Sequence, residues 1–412
     1  MGNAAGVDIL KTKQTRVSTK LLIDVPLLVT VVILIIVGLL FLYSASWNYA
    51  LQAHGSGSYV VLRQVIWVVI GSVIAALLAF TDYHLIQHFA QLIILSTIGM
   101  LTIVLFIPSS IQGATRTVVS GSIQPSELAK IALLVYLAHW LSSKQEKLST
   151  LVWGFIPVFS IIGLIAFLIL LQPDVSATIT VIFLGGVMFF IAGGNMRHIA
   201  LIILLALFIF FCGYFLFDKV STRINDFANG LRDPALASYH IQRSTEAILR
   251  GGWTGVGLGK GVVKLTGLPV AWTDSIYTVI LEETGLLGGS FIILLYLMVI
   301  WRGYEISKNA PDAFGKLLAA GVTLWIGIEA FINIGVLVNI IPFAGNALPF
   351  ISAGGSSMIC TLAGIGLLMS VSRNSAIEAL KKERTNPDAI INMRGWNGRW
   401  RISSLSRGSG KR

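Results

Sequence analysis

Residues 24–45 read DVPLLVTVVILIIVGLLFLYSA. After Asp24 the run carries no charged side chain, and it supplies the roughly 20 residues that a helix needs to cross a bilayer's hydrocarbon core. Lys11, Lys13, Arg16 and Lys20 precede it. No small-residue cleavage pattern follows, so it reads as a retained first spanning helix and not as a removed signal peptide. The same window finds further spans near 60–80, 89–107, 127–142, 151–171, 176–193, 197–217, 275–301, 315–341 and 352–372. The fold class expected is therefore all-α, a polytopic membrane protein of about ten transmembrane helices.

Composition agrees. Of 412 residues, 55% are hydrophobic and 12% charged, with a mean hydropathy of +0.82. Soluble globular chains carry about 25% charged residues. A formal net charge of +11 could suggest nucleic acid, but the basic residues sit in tails and short loops, the pattern of membrane topology. Two thirds of the 30 Lys and Arg fall in the N-terminal tail, at Lys144 and Lys147, at Arg197, at Arg302, Lys308 and Lys316, and from Arg373 onward. By the positive-inside rule both termini are cytoplasmic. Cys212 and Cys360 lie in apolar segments, where thiols act as small hydrophobes.

This divides the chain into a cytoplasmic tail (1–23), a membrane domain (24–373) and a basic cytoplasmic tail (374–412). Basic residues of that last tail are placed to touch anionic lipid. The opposite face holds the intervals 46–59, 108–126, 218–274 and 342–351. The third is the largest extracytoplasmic loop, and loops of that length without structure of their own are usually functional or disordered. Its apolar patches, Ala247-Ile248-Leu249 and Val262-Val263, favour an ordered loop at the outer membrane surface.

Asp274 closes that loop, where the chain re-enters an apolar helix. Two readings stand: an N-cap that satisfies orphan helix N–H groups, or a general base held at the membrane boundary. Two turns later come Glu282 and Glu283. At about 100° per residue Glu282 lies nearer the face of Asp274, which makes it the expected cavity-facing partner. Glu127 and Lys130 sit three residues apart at a helix start, either a locally neutralised ion pair or a functional intramembrane site. Arg116 in the preceding outer loop and Arg63 at the start of the second span are each explicable as interfacial anchors. Together with Lys130 they would make a cationic wall suited to phosphate. Asp174 in Pro173-Asp174 reads as a turn followed by a helix cap. The glycine-rich run from Gly251 to Gly261 is no P-loop, since Gly261 follows Lys260 where Ser or Thr is required; it reads as a flexible interfacial loop. Six scattered histidines show no HExxH spacing, although carboxylates near phosphates could recruit magnesium or manganese.

These residues resemble the SEDS family, the FtsW, RodA and SpoVE group of bacterial cell-wall polymerases, from Asp24 to about Arg373. Tyr43-Ser44-Ala45-Ser46, Arg63-Gln64 with Trp67, Gln124 to Lys130, and Pro173-Asp174 match its motifs in order. So do Arg223-Ile224 and the loop residues after them, Leu268-Pro269 with Thr273-Asp274, Glu282-Glu283-x-Gly285, and Leu348 to Ser352 with Gly354-Gly355-Ser356-Ser357. Trp272 stands where the family usually has histidine, Thr117 where tryptophan is usual, and Ala344-Gly345-Asn346 where a Thr-Gly pair is common.

The resemblance implies a peptidoglycan glycosyltransferase that extends glycan strands from lipid II on the outer face of the bacterial cytoplasmic membrane, with Asp274 catalytic. A sugar pyrophosphate already carries a good leaving group, so cations must neutralise its growing charge and a single carboxylate can serve as base. Arg63, Arg116, Lys130 and Arg223 are the candidate substrate and pyrophosphate ligands. Glu127, Asp174, Glu282 and Ser356 are the supporting residues, with a divalent cation held through Asp274, Glu127 or Asp174 and no organic cofactor. Expected partners are lipid II, the nascent glycan strand, a class B penicillin-binding transpeptidase and other divisome or elongasome membrane proteins, and no nucleic acid. The Gly255-Val256-Gly257-Leu258-Gly259 run and Lys264 look more like FtsW than RodA. A RodA-like elongation polymerase is the near alternative. A lipid II flippase is the distant one, disfavoured because the polar residues gather at the outer ends of the spans and no internal repeat is evident.

Overall fold

In the computed structural model, residues 23–106, 124–342 and 345–385 are described, apart from 149, 173, 196 and most of 199–217. Every secondary-structure element among them is helical, with no strand. The helices are α1 (Val25–His54), α2 (Tyr59–Phe80), α3 (Tyr83–Phe106), α4 (Pro125–Ser143), α5 (Ile156–Leu170) and α6 (Val175–Ile191). After them come α7 (Asp218–Arg232), α8 (Tyr239–Gly251), α9 (Ile276–Lys308), α10 (Ala313–Leu337) and α11 (Gly355–Thr385).

Six of these, α1, α2, α3, α9, α10 and α11, are long and apolar enough to cross a membrane, and α5 and α6 are shorter apolar helices. A π turn, Leu151–Phe155, runs directly into α5 and lengthens it. The expected span at 197–217 lies mostly outside the described residues. With α4, the other nine expected spans each coincide with a helix, so the polytopic all-α architecture holds.

The helices start where local chemistry lets them. Asp24 caps α1 by accepting from Leu27 N at 3.0 Å, and Pro26 occupies a first-turn position where its missing N–H costs nothing. Asp24 also binds Arg302 at the far end of α9, with Arg302 Nε 3.1 Å from its Oδ1. Asp312 caps α10 through Gly315 N and accepts from Tyr83 Oη at 2.8 Å, tying α3 to the α9–α10 turn.

Helix α10 is the centre of the bundle. It packs on α4, α6, α9 and α11 and buries Trp325 completely. By contrast α2, packed mainly on α11 and α1, leaves Leu62, Ile66, Val73 and Leu77 exposed, as a lipid-facing helix should.

Helix α9 is broken. Gly285 has φ 67° and ψ −168° inside it, a conformation open to glycine and strained for other residues. The glycine-rich loop docks into the break. Val256 N and Gly257 N donate to the carbonyls of Glu282 and Glu283, while Leu286 N and Leu287 N donate to those of Gly252 and Trp253. Four backbone groups that the break would orphan are thereby paired. The expectation of a flexible loop is thus corrected: this segment completes the ladder of a spanning helix.

Candidate active site

The segment from Leu268 to Ser275 is held from below by groups distant in sequence. Trp272 O accepts from Ala353 N at 3.0 Å, Thr273 O from Ser352 Oγ at 2.6 Å, and Asp274 O from Asn333 Nδ2 at 2.9 Å. Three consecutive carbonyls are pinned, so the backbone that presents Asp274 is rigid. The N-cap of α9 is Ser275, one residue later, and its hydroxyl donates to Pro269 O and bonds His240 Nε2 instead of capping. The cap position therefore belongs to Ser275 and leaves the partly exposed Asp274 at the mouth of a cavity.

That cavity holds about 240 Å³ between α4, α6, α10, the segment just before α9, the 345–347 loop and the start of α11. Asp274, Asp174, Glu127, Lys130 and Ser356 all line it. Asp174 meets its plain expectation as the cap of α6, accepting from Ala177 N at 3.2 Å, and it also receives Gln124 Nε2 at 2.8 Å and Ser126 Oγ at 3.2 Å. Ser356 Oγ accepts from Gln124 N at 3.3 Å, so the starts of α4 and α11 adjoin in one wall. Gly345 packs on Asp274 so closely that a Cβ there would come within 2.9 Å of Oδ2.

Lys130 is buried at the cavity floor, its Nζ 2.7 Å from Glu127 Oε1 and in direct contact with Glu329. Glu329 is the residue that sequence reasoning missed. It sits in α10 eight residues before Leu337, about 12 Å along the helix, so the polar site reaches further into the membrane domain than the outer ends of the spans. Its signal was available as a lone carboxylate amid Trp325, Ile326, Ile328 and Phe331. Glu127 Oε2 is buried with no partner among the described residues.

The expected cationic wall is not assembled around this cavity. Arg63 on α2 and Arg223 on α7 are exposed and do not line it, and Arg116 lies outside the described residues. The lining carries four carboxylates against one ammonium. Glu282 is not brought to it either. It turns to the loop and accepts from Val262 N at 2.8 Å and Val263 N at 3.1 Å. Glu283 accepts from Ser44 Oγ at 2.6 Å and Gly259 N at 2.9 Å and pairs with Lys264. Both glutamates fix the docked loop that leads to Asp274.

A sequence profile described as "Cell cycle protein", FTSW_RODA_SPOVE, matches residues 25–377. The chain belongs to this family. Among its relatives, the probable peptidoglycan glycosyltransferase FtsW of Geobacter sp. (strain M18) is 36% identical over 356 residues, covering 85% of this chain and 96% of that one. Stage V sporulation protein E of Bacillus subtilis (strain 168) is 33% identical over 357 residues, covering 85% and 97%. Among solved structures, a chain described under "Structural coordination of polymerization and crosslinking by a peptidoglycan synthase complex" superposes with a TM-score of 0.70 at 26% identity, covering 86% of this chain and 98% of that one. The rod shape determining protein RodA of Thermus thermophilus superposes with a TM-score of 0.64 at 26% identity, covering 85% and 97%. The family match thus runs from the start of α1 into α11.

Proposed function

We infer that the chain is a peptidoglycan glycosyltransferase of the FtsW kind that extends glycan strands from lipid II, with Asp274 as general base. The observation that carries the mechanism is the rigidly presented Asp274 on a polar cavity that it shares with Glu127, Lys130 and Glu329 of the membrane helices. The acceptor sugar hydroxyl attacks the anomeric carbon of the donor and its proton passes to Asp274. The bond from that carbon to the pyrophosphate oxygen breaks, and the lipid pyrophosphate leaves with the electron pair. Attack opposite the leaving group inverts the centre and gives a β link from an α-linked donor. No second carboxylate need protonate the leaving group, unlike in glycoside hydrolysis.

Lys130 supplies positive charge at the floor, already shared between Glu127 and Glu329. One shared ammonium falls short of a pyrophosphate's charge, which favours a divalent cation, magnesium or manganese. The donor set suits such an ion, since Glu127 Oε2 is an orphaned buried acceptor and Asp174 and Asp274 share its cavity. Among the described residues no three acidic, His or Cys groups form a ready-made cage. The protein would contribute one or two carboxylates and the substrate phosphates the rest, the usual magnesium arrangement. Bound there, the ion would offset charge on the departing pyrophosphate. Arg63, Arg116 and Arg223 are left to contact the lipid pyrophosphate as it approaches from the surface.

The active site faces outward and both termini lie in the cytoplasm, on the strength of the basic tails. The protein is an integral membrane protein, and a class B penicillin-binding transpeptidase is its partner, supported by the likeness to a chain of a synthase complex. The FtsW-type relatives favour a septal over an elongation role. A broken helix is also a transporter feature, but the break at Gly285 is filled by loop backbone and does not line the cavity. The test is to combine purified protein, its transpeptidase partner, lipid II and magnesium or manganese, then resolve products by gel. Glycan polymer is expected; its absence, with lipid II moving between liposome leaflets instead, would replace this reading with the flippase.

A further inference from the structure

Beside Asp274 the structure carries a row of aromatic rings that the reaction above does not use. Trp272, two residues before Asp274, is stacked on Tyr49 of α1, with ring centroids 4.1 Å apart and planes inclined by 22°. Tyr49 meets His54 edge-on, and His54 is stacked on Tyr59 of α2 at 3.9 Å. Tyr49 and Tyr59 remain 43% and 42% exposed, so the row is open to a ligand.

The near end of the row is held in place. Trp272 packs on a small core that includes Ala45, Leu268 and Ala271, and its carbonyl is bonded to Ala353 N. Trp272 and Asp274 are two peptide units apart, at most about 7 Å between Cα atoms. The Trp272–Tyr49 pair and Asp274 are thus presented by one short, pinned segment.

We propose that Trp272 and Tyr49 form a stacking subsite for the glycan strand, holding the hexosamine ring next to the reacting one, with His54 and Tyr59 continuing the track along the strand. The chemistry is general. A β-linked hexosamine presents a flat face of polarised axial C–H bonds, and an aromatic face carries the negative lobe of a quadrupole that attracts them. Rings already packed in place lose little freedom on binding, so the contact is gained at low entropic cost. The proposal rests on the glycan-polymerase reading. Its bland competitor is an aromatic belt that only anchors the helix ends at the membrane interface.

Wild type, Tyr49→Ala, Trp272→Ala and Trp272→Phe are compared with the transpeptidase partner and lipid II, reading glycan length on gels. Binding of a soluble tetrasaccharide of alternating N-acetylglucosamine and N-acetylmuramic acid is read by saturation-transfer NMR. Loss of one face of the pair should weaken the tetrasaccharide about 3- to 10-fold and shorten the products, while the first coupling of two lipid II molecules continues and Trp272→Phe keeps most of both. Tyr49 is exposed on its helix, so Tyr49→Ala carries the test even where Trp272→Ala fails to fold. Unchanged binding and unchanged glycan length in Tyr49→Ala, beside a polymerising wild type, overturn the subsite and leave only the anchor. A wild type that makes no polymer overturns the polymerase reading instead, and the tetrasaccharide measurement then still decides whether these rings bind glycan.

Discussion

Replacing Lys130 by methionine keeps an unbranched side chain, one heavy atom shorter, and removes the one ammonium that Glu127 and Glu329 share. Lys130 and Glu329 have side chains only 4% and 3% exposed, so solvent cannot take over the lost charge. Removing one partner of a buried ion pair costs about 3–5 kcal/mol, because the remaining charge stays buried without compensation. At about 2 °C per kcal/mol for a chain of this size, that is roughly 6–10 °C in Tm. Glu329→Gln should behave oppositely. It leaves Glu127 and Lys130 as a one-to-one pair, keeps a hydrogen-bond acceptor beside Lys130, and should leave Tm unchanged or raised. Thermal unfolding in detergent, followed by intrinsic fluorescence, reads both. An unchanged Tm in Lys130→Met, or a fall in Glu329→Gln as large as in Lys130→Met, would refute the picture of a dry, charge-sharing cluster.

Two further perturbations probe the outer loop. Gly285→Ala combines a strained φ with a Cβ that would come within 2.4 Å of Gly255 N, so it should expel the glycine-rich loop and expose residues 252–263 to limited proteolysis. Burial holds the His240 imidazole down at about 4, against about 6.5 when the loop opens. The opened state therefore binds the proton first, and the docking of α8 is fully stable above pH 6.5 and weakens as pH falls toward 4. Amide exchange across residues 239–251, corrected for intrinsic rates, should rise as pH falls from about 6.5 to about 4, and His240→Gln should flatten that rise.

The spans were legible because uninterrupted apolar runs of bilayer length have few other uses in a folded chain. Asp174 was legible as a cap, and Glu127 with Lys130 as a pair, because both are local relations. Glu329 was not, since its contact with Lys130 joins residues 199 apart in the chain and hydropathy treats one glutamate in α10 as noise. That Arg63 does not line the cavity has a related cause. Position along a span gives depth in the membrane, not direction around the bundle, and residues at one depth can face different sides. Glu282 was assigned by helical angle to a cavity that lies before the helix begins. The glycine-rich loop was read from its composition, which reports conformational freedom in isolation and says nothing of a broken helix waiting to receive it.

The claim that everything else depends on is that Asp274 removes the acceptor's proton. General-base contributions are typically about 10²- to 10⁴-fold, and asparagine keeps the size of the side chain without its basicity. Glycan formation from labelled lipid II by Asp274→Asn, with the transpeptidase partner present and lipid II binding measured in parallel, is the most direct test. The account predicts a loss of about 100-fold or more in rate with binding retained. A mutant that polymerises at the wild-type rate would contradict it.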